Sequence, residues 1–450
     1  MLYSDTRATA HSCLAATIAD SSATVGVIGL DYVGLPLATA IARAGFFTIG
    51  FDIDRDKIDR LNSGESYIYA VTSERLAALL ADKRLAATAD FARLASCDII
   101  VICVPTPLTP NREPDLSYVQ STARQIAQTL RRGQLILLES TTFPGTTTEV
   151  VKPILEAGGL KCGEDFYLGY SPEREDPGNK SFETAKIPKV VSGDGEAAAQ
   201  LTAQFYAAVV EKVVPVSSPA AAEAVKLTEN IFRAVNIALV NELKLIYGAM
   251  GIDVWEVIDA AATKPFGFMP FYPGPGLGGH CIPIDPFYLT WKAREHEIST
   301  RFIELAGEIN LAMPRHVVDV LQEALNRGPE IPLGRARILI IGLAYKKNVG
   351  DVRESPSFKL IRLLEERGAT VAYHDPHVPE LPRMREYPEM RTRNSAILHP
   401  GTVQSQHAVV LVTDHDAIDY AMVAEAARLI IDTRNVFARH GISSDKIIKA

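Results

Sequence analysis

Cys281 is the residue of this chain with the clearest capacity for covalent chemistry. It lies in the run Gly276-Leu-Gly-Gly-His-Cys-Ile-Pro-Ile-Asp285, whose glycines let the backbone fold closely around a substrate and point N–H groups at an oxyanion. A helix beginning just after the cysteine would lower the pKa of its thiol, and the thiolate is the nucleophile. Residue type alone favours a buried, inert cysteine, whereas the glycine-rich loop favours a reactive one. No metal is expected, because His280, Cys281 and His296 lack a suitably spaced fourth ligand.

Four further polar residues have types and positions that suit the same reaction. Lys226 and Asn230 are four residues apart, so they share one face of a helix. An amine and an amide there could hold an oxygen that gains negative charge, although a solvated face is the simpler explanation. Glu173 and Thr141 each follow a predicted strand, where the active-site residues of α/β sheets collect. Each signal is weak alone, and together they indicate an active site.

A second cluster indicates a dinucleotide. The turn Gly29-Leu-Asp31-Tyr32-Val33-Gly34 follows a strand and opens a helix, where backbone N–H groups meet a pyrophosphate. Asp52 closes the next strand 23 residues after Gly29; an acid there bonds a ribose hydroxyl and favours NAD over NADP. Asp31 replaces the middle glycine of the usual motif, where its carboxylate would crowd and repel the pyrophosphate. The alternative is a turn that binds nothing, and we expect Asp31→Gly to tighten NAD binding.

The elements that position these residues alternate between strand and helix. Thr24–Gly29 and Phe47–Asp52 are predicted strands around a helix at Leu35–Ala44, and the alternation continues to about residue 200. A helix of about 30 residues is predicted over Ala220–Met250, and another over Ile303–Asn326, with a long Gly/Pro-rich loop over 264–289 between them. The α/β pattern then restarts at Arg337.

We therefore predict an α/β fold of two Rossmann-like, doubly wound domains flanking a helical central domain with a long connecting helix. The predicted boundaries are a flexible leader over 1–22, a cofactor domain over 23–210, a helical domain over 211–330 and a substrate domain over 331–450.

Bulk composition excludes several classes of protein. The 450 residues are 47% hydrophobic and 22% charged with a net charge of −8, which favours an ordinary globular protein that binds neither nucleic acid nor membrane. The five cysteines have no CxxC spacing, so neither a disulfide framework nor a zinc site is expected and a reducing, cytoplasmic location is favoured. We predict no signal peptide in Met1–Ser22 and no membrane span.

These motifs resemble those of the UDP-glucose/GDP-mannose dehydrogenase family over nearly the whole chain after the leader. The most specific marks are GLDYVGLP from Gly29, VPTP at Val104–Pro107, GLGGHCIPIDPFYL from Gly276, the Lys226/Asn230 pair, and the run Lys346–Ser357. The cysteine motif looks especially like that of bacterial UDP-N-acetylglucosamine 6-dehydrogenases. Members closer to the UDP-glucose enzymes read GGSC and carry a lysine before the aspartate, where this chain has His280 and Ile284.

The resemblance implies an NAD-dependent, four-electron oxidation of the C6 alcohol of a UDP-sugar, most similar to UDP-N-acetylglucosamine, to a uronate for polysaccharide precursors. An aldehyde would be captured by Cys281, oxidised to a thioester and released by water. Lys226 and Asn230 would stabilise the oxyanion, and Asp285 would hold a water or assist proton transfer. Glu173 would act in thioester hydrolysis, and Thr141 would orient water and cofactor.

The resemblance also implies binding residues. The predicted cofactor-binding residues are Gly29, Asp31, Tyr32, Val33, Gly34, Asp52, Lys57, Thr106 and Thr141. The predicted substrate-binding residues are Glu173, Lys226, Asn230, Phe271, Tyr272, Gly278, Lys346 and Arg434. Lys346 and Arg434 match positions that engage the nucleotide diphosphate, the arginine often in a partner subunit, because its fork meets phosphate bidentately. Phe271 and Tyr272 either line the sugar pocket or pack the loop. A homodimer or higher homo-oligomer is expected from the long apolar helix.

Some questions stay open from the residues alone. Pro177 stands where some family members have a second glutamate, so the role of that acid is in doubt, although Glu175 or Asp176 could substitute. UDP-glucose, UDP-N-acetylmannosamine, UDP-N-acetylgalactosamine and GDP-mannose would fit the same machinery. Asp31 keeps a catalytically impaired nucleotide-sugar binder in consideration. A two-electron β-hydroxyacid dehydrogenase would lack the cysteine motif and the third α/β domain.

Overall fold

The computed structural model describes residues 3–68, 70–109, 111, 113–174, 184–279, 282–328, 330–382, 384, 387–390 and 392–450, with side chains from residue 11 onward. The chain forms two compact units. The first contains Met1–Glu229 and Phe287–Ile298, and the second contains Asn230–Pro286 and Ser299–Ala450.

The first unit is built on one sheet of short apolar strands. Within the described residues its eight strands are β1 (Thr24–Ile28), β2 (Phe47–Phe51), β3 (Leu85–Thr88), β4 (Ile99–Ile102), β5 (Leu135–Leu138), β6 (Tyr167–Tyr170), β7 (Lys189–Gly193) and β8 (Val213–Pro215). Their order is β3-β2-β1-β4-β5-β6-β7-β8. Neighbouring strands are parallel except for β6 and β7, which are antiparallel.

Helices cover both faces of this sheet, which explains why central strands such as β4 and β5 are apolar at every position rather than at alternate ones. In β4, Ile99 and Val101 pack into one core cluster while Ile100 and Ile102 pack into another. The helices of the unit are α1 (Tyr3–Ala19), α2 (Gly34–Arg43), α3 (Arg55–Asn62), α4 (Ser73–Ala81), α5 (Ser117–Thr129), α6 (Lys152–Glu156) and α7 (Glu196–Val209). Short 3-10 helices lie at Phe91–Ser96 and Thr184–Lys186, and a π-helical turn at Thr146–Val151.

Helix α1 occupies most of the predicted leader, whose boundary at residue 22 stays a prediction. Leu14 and Ile18 are buried in the core of the first unit. The side chain of Gln204 on α7 donates a 2.8 Å hydrogen bond to the carbonyl of Ala15. The two buried residues are four apart, which places them on one face of the helix, but the polar residues around them conceal this short apolar stripe in the sequence.

Long helices and a second, smaller sheet follow in the chain. Helix α8 (Pro219–Ala249) carries the division between the two units, and α9 (Val254–Ala262), α10 (Asp285–Arg294) and α11 (Arg301–Arg327) come after it. The remaining elements are β9 (Arg337–Ile341), α12 (Pro356–Glu366), β10 (Thr370–His374), α13 (Pro400–Gln404), β11 (Ala408–Leu411), α14 (Tyr420–Ala426), β12 (Ile430–Asp432), α15 (Val436–Arg439) and β13 (Ile447–Lys449), with a 3-10 helix at Leu333–Arg335. The strands form a parallel sheet in the order β10-β9-β11-β12-β13.

The predicted fold class, with two parallel, helix-covered sheets separated in the chain by a helical segment, is confirmed. The predicted loop over 264–289 ends earlier than expected, because α10 begins at Asp285. The three-domain boundaries stay a prediction. No helix in the part of the chain that the structure describes is both long and apolar enough to cross a membrane.

Candidate active site

The predicted dinucleotide turn lies where the strand order of the first sheet reverses. The chain leaves β1 for β2 on one side, and β4 returns to pair with β1 on the other. Open parallel sheets bind ligands in the crevice outside the carboxyl ends of the two strands at this point. The turn that starts at Gly29 follows β1, and the segment Val104–Pro107 follows β4, so both predicted cofactor segments reach this edge.

Glycine is required at two positions of the turn. Gly29 has a φ of +90°, and a Cβ there would lie 2.5 Å from the carbonyl oxygen of Cys103. A Cβ on Gly34 would lie 1.7 Å from the carbonyl oxygen of Gly29. Only glycine allows this close approach of backbone to backbone, which leaves a cradle of the kind that a pyrophosphate occupies at the N-terminus of α2.

The predicted ribose ligand Asp52 also supports the turn. Its side chain is 7% exposed and accepts hydrogen bonds of 3.0 Å from the backbone N–H groups of Leu30 and Asp54. Tyr67, which the sequence did not single out, donates a 2.7 Å hydrogen bond from its hydroxyl to the carbonyl of Leu30. Both the N–H and the carbonyl of Leu30, the residue after Gly29, are therefore held by hydrogen bonds.

Asp31 is paired with a cation. The ammonium of Lys57 lies 2.5 Å from a carboxylate oxygen of Asp31 and 4.0 Å from Asp52. Burial lowers the pKa of Lys57, but the hydrogen bond and the charge of Asp31, with smaller effects from the other acids, outweigh it and raise the pKa overall. The charge of Asp31 is thus partly offset by the residue predicted to contact the ribose. The predicted neighbours Tyr32 and Val33 complete the turn, and Tyr32 is 36% exposed.

The second predicted cofactor segment, Val104–Pro107, is hydrogen-bonded to α10, the helix that follows the cysteine motif. Thr106 is buried, and its carbonyl accepts a 2.7 Å hydrogen bond from the hydroxyl of Tyr288 on α10. Trp291 of the same helix packs against Phe143, with ring centroids 4.9 Å apart, and Lys292 bonds Glu149 at 2.7 Å. No local pattern in the sequence predicts these contacts, because the partners lie more than 100 positions apart in the chain.

The predicted acid Glu173 contacts the predicted oxyanion ligand Lys226. Glu173 follows β6, and Lys226 on α8 donates a hydrogen bond to its backbone carbonyl. The ammonium of Lys226 also lies 3.9 Å from the carboxylate of Glu173, and the side chains are 6% and 13% exposed. Thr141 follows β5, the strand next to β6, so all three residues lie at the carboxyl edge of the sheet.

Glu223 is a residue that sequence reasoning missed. It is fully buried on α8, one turn before Lys226. Its carboxylate accepts hydrogen bonds of 2.6 Å and 2.9 Å from the backbone of Gly145 and Thr147, and one of 2.7 Å from the Thr147 hydroxyl. Burial raises the pKa of Glu223 to about 7 although these hydrogen bonds lower it. Glu223 therefore anchors the loop that carries Thr141.

In the second unit, Asn230 and Asp285 form a buried pair. The amide nitrogen of Asn230 donates to a carboxylate oxygen of Asp285 over 2.5 Å, and the residues are 4% and 1% exposed. Asp285 is the first residue of α10, where a negative charge suits the helix dipole. Asp285 thus fixes the orientation of the Asn230 amide. Cys281 and His280 lie outside the described residues.

The glycine-rich segment before Cys281 packs closely against α8 and against two loops that follow strands of the second sheet. The N–H of Gly274 donates a 3.0 Å hydrogen bond to Asn241, and a Cβ on Gly274 would lie 2.7 Å from the guanidinium of Arg434. A Cβ on Gly278 would lie 2.7 Å from the side chain of Tyr345, the neighbour of Lys346. Of the predicted substrate residues, Gly278 therefore belongs to this segment and Arg434 lies against it.

The two predicted aromatic residues of this segment differ in their surroundings. Phe271 packs edge-on against Phe232 of α8, with ring centroids 5.8 Å apart. Tyr272 donates a 2.6 Å hydrogen bond to Asp259, and Arg439 lies over its ring at 4.9 Å. Both therefore pack the segment, and their role in binding a sugar stays a prediction.

Family models match three stretches of the chain in succession. Residues 23–210 match the NAD binding domain of the UDP-glucose/GDP-mannose dehydrogenase family, 220–312 its central domain, and 339–439 its UDP binding domain. The chain belongs to this family. It is accordingly an NAD-dependent UDP-sugar dehydrogenase, as the motifs predicted, and NAD is its cofactor.

Known relatives differ in the sugar that they name. The chain is 38% identical to a UDP-N-acetyl-D-glucosamine 6-dehydrogenase of Pseudomonas aeruginosa, over 81% of this chain and 85% of the relative. It is 34% identical to a UDP-N-acetyl-D-mannosamine dehydrogenase of Pyrococcus horikoshii, over 92% and 95%. A solved structure of the UDP-D-ManNAc dehydrogenase from Pyrococcus horikoshii is similar with a TM-score of 0.85 at 33% identity, covering 95% of this chain and 98% of that one.

Proposed function

We propose that this enzyme oxidises the C6 alcohol of UDP-N-acetylglucosamine to the carboxylate, through a thioester on Cys281, and so supplies a polysaccharide precursor. The buried Asn230–Asp285 bond carries the proposal, because it fixes an amide by a carboxylate that lies four residues after the cysteine.

The hydroxyl of an alcohol loses its proton as the hydride leaves the carbon, so negative charge develops on the oxygen until the C=O bond has formed, and buried donors stabilise that charge. Lys226 supplies a buried ammonium. Asn230 supplies an amide of which one N–H is used by Asp285, and the second N–H is assigned to the oxyanion. Cys281 adds to the aldehyde to form a thiohemiacetal, which the second oxidation converts to the thioester.

The thioester is then hydrolysed. Glu173 takes a proton from water as the water oxygen attacks the carbonyl carbon, and the C–S bond breaks to restore the thiolate of Cys281. Thr141 is assigned to orienting that water, since it lies at the same edge of the sheet as Glu173.

The cradle of Gly29 and Gly34 fits the pyrophosphate of NAD, with Asp52, Lys57 and Thr106 assigned to its remaining contacts. NAD held there would supply the hydride acceptor for both oxidations, so two NADH are expected per sugar.

The relatives support several sugars, and we favour N-acetylglucosamine for two reasons. The motif from Gly276 to Leu289 resembles that of the UDP-N-acetylglucosamine enzymes, and the identity to the Pseudomonas aeruginosa enzyme of that name is 38%, against 34% and 33% for enzymes named for N-acetylmannosamine and N-acetylgalactosaminuronic acid. UDP-N-acetylmannosamine is the second candidate, because the Pyrococcus horikoshii relative matches more of the chain. Lys346 and Arg434 are assigned to the nucleotide diphosphate in either case.

The proposal includes a homodimer or higher homo-oligomer and a cytoplasmic location. Large apolar side chains are exposed on both long helices of the second unit: Phe232, Leu239, Leu245, Ile246 and Met250 on or at the end of α8, and Phe302, Leu305 and Leu311 on α11. Several exposed large apolar side chains on the same helix support an interface. The five cysteines without paired spacing support a reducing compartment.

The test is NADH release over a panel of UDP-sugars, with uronate measured in parallel. Two NADH and one uronate per UDP-N-acetylglucosamine are expected, with lower kcat/KM for the epimers and for UDP-glucose. Cys281→Ser is expected to form no acid, while Cys13→Ser, at an exposed cysteine, keeps parental activity. Full uronate production by Cys281→Ser would refute the thioester, one NADH per sugar would indicate a two-electron enzyme, and none would favour an impaired binder.

A further inference from the structure

A small cavity lies at the carboxyl edge of the first sheet, where β5 and β6 end and β7 begins. Its volume is about 20 Å³, enough for one water molecule. Its polar lining consists of Glu139, Glu173, Arg174 and Lys189, and its three apolar side chains include Val33 of the dinucleotide turn. A buried water requires two to four polar partners, and this lining supplies four charged ones.

Glu139 is the fully buried member of this set. Its two carboxylate oxygens accept hydrogen bonds from the ammonium of Lys189, over 2.8 Å, and from the hydroxyl of Tyr206 on α7. A carboxylate has about four acceptor positions, so two remain after these bonds. Glu139 therefore has acceptor capacity on the side of the cavity that it shares with Glu173.

We propose that Glu139 is a positioning residue for hydrolysis, which receives through one cavity water the proton that Glu173 removes from the attacking water. This inference rests on the proposed function, since it assumes that Glu173 acts on a thioester. It also supplies a second acid near Glu173 from another strand, whereas Glu175 and Asp176, the candidates in the sequence, lie outside the described residues.

The proton balance is simple. Glu173 becomes neutral when it takes the proton from water, and must become ionised again before the next thioester can be hydrolysed. A proton passes from Glu173 to the cavity water, which passes another to Glu139. Glu139 then becomes neutral beside Lys189, and the proton leaves to solvent through the open side of the cavity. No bond other than O–H bonds forms or breaks in this relay.

The groups around Glu139 act on its pKa in both directions, and the net result is a raised pKa. Burial raises its pKa, Lys189 and Tyr206 lower it, and the like charge of Glu173 raises it again. Arg174 completes the charged wall; it is held in place by Glu229, at 2.6 Å, and by the carbonyl of Pro188, at 2.7 Å. Two carboxylates beside one water are coupled, so the proton on one affects the titration of the other.

The first test is Glu139→Gln in the full-length enzyme, followed over several turnovers. Because only the re-ionisation of Glu173 depends on the relay, the first turnover is expected to release two NADH and one uronate at the parental rates, and uronate release in the later turnovers is expected to be slowed at least tenfold. Mass spectrometry is expected to detect the accumulated covalent sugar–enzyme adduct. Parental uronate release per folded molecule in the later turnovers would overturn the proposal. A parent enzyme that forms no uronate would instead refute the proposed function.

Lys189→Met is the second variant, and it separates the relay from a merely structural ion pair. Loss of the cation raises the pKa of Glu139, so the part of the rising limb of hydrolysis against pH that belongs to Glu139 is expected to move to higher pH in Lys189→Met and to disappear in Glu139→Gln. A structural pair would lower the folded fraction in both variants without moving the limb, and that result would overturn the proposal. Glu211→Gln, at an exposed acid of the same unit, is the control and keeps the parental profile.

A measurement without turnover completes the test. Infrared titration of the unliganded enzyme is expected to show the carbonyl band of a buried, protonated carboxylic acid that is absent in Glu139→Gln. In Glu173→Gln the like charge is removed, so this band is expected to appear only at lower pH. A band that is unchanged in Glu173→Gln would mean that the two acids are not coupled, which would overturn the relay even if Glu139→Gln fails to fold.

Discussion

The stability of the first unit is expected to depend on the ionisation of one buried acid, Glu223. Its carboxylate holds the loop at Gly145 and Thr147 by three hydrogen bonds, and it has no exposure to solvent. The substitution Glu223→Gln keeps the size of the side chain and removes its titration. The amide also turns a donor toward one of the backbone N–H groups, which costs about 1–3 kcal/mol at any pH.

The size of the pH effect follows from the pKa. Burial raises the pKa of Glu223 from 4.5 to about 7, which corresponds to about 3 kcal/mol between the protonation states. Between these pH values the folded state binds more protons than the unfolded state, so the stability that Glu223 contributes is fully present below pH 4.5 and is lost as the pH rises through 7. Glutamine has no such dependence. The difference in unfolding free energy, parent minus Glu223→Gln, is therefore expected to fall by about 3 kcal/mol between pH 4.5 and 8.

Urea unfolding at a series of pH values measures this difference. The chain has two tryptophans, and Trp291 packs on Phe143, in the loop that Glu223 anchors. In a Trp255→Phe background, the fluorescence of Trp291 reports on the first unit alone, which avoids treating both units as one transition. Glu211→Gln, at an exposed acid, should differ from the parent by the same amount at every pH. A flat difference for Glu223→Gln as well would refute the reasoning.

Three further results are expected. Asp31→Gly should tighten NAD binding several-fold in calorimetry, because it removes a carboxylate from the turn and releases Lys57; equal or weaker binding, or the same gain in Asp31→Asn, would contradict the steric part of this reasoning. Burial lowers the pKa of Lys244 to about 7, so its burial costs most below pH 7 and nothing above 10.5; Lys244→Met should raise the unfolding free energy by about 5 kcal/mol below pH 7 and progressively less above it. Tyr288→Phe should raise the KM for NAD, since the carbonyl at Thr106 loses a hydrogen bond worth about 1 kcal/mol; an unchanged KM would show that this bond does not position the cofactor segment.

The sequence predicted those parts of the fold that depend on short-range patterns. Apolar runs such as Ile99–Ile102 mark strands that are buried on both faces, and their alternation with helices implies parallel sheets. The direction of β7 could not be predicted, because Lys189–Gly193 reads KVVSG and its composition carries no signal for antiparallel pairing. Its antiparallel pairing depends on the connection after β6, and composition does not reveal the path of a connection. Helix α1 was not predicted for a different reason. Among its described side chains, from residue 11 onward, only Leu14 and Ile18 are buried, so its apolar pattern is weak.

The residues of the candidate site also fall into two groups, those predicted from local patterns and those found only in the fold. Asp52, Glu173 and Thr141 were predicted because they follow strands, and the carboxyl ends of parallel strands share one edge of a sheet. Glu139 also follows a strand, but its partner Lys189 lies 50 residues away in the chain. A charged residue at a strand end indicates a binding edge; only the fold shows which charges face one another across it.

Asp31 illustrates the limit of a motif most clearly. From the sequence, a carboxylate at the middle position of the turn carries only costs, in space and in charge. The structure adds Lys57, which α3 brings to it because Asp54 caps that helix with hydrogen bonds to the N–H groups of Asp56 and Lys57. A cofactor that binds Lys57 must therefore replace the contact between Lys57 and Asp31. A partly exposed ion pair of this kind contributes little stability by itself, so a bound pyrophosphate and ribose can displace it at small cost. The cradle is intact although Asp31 replaces the middle glycine of the motif, and this arrangement is compatible with an active dehydrogenase.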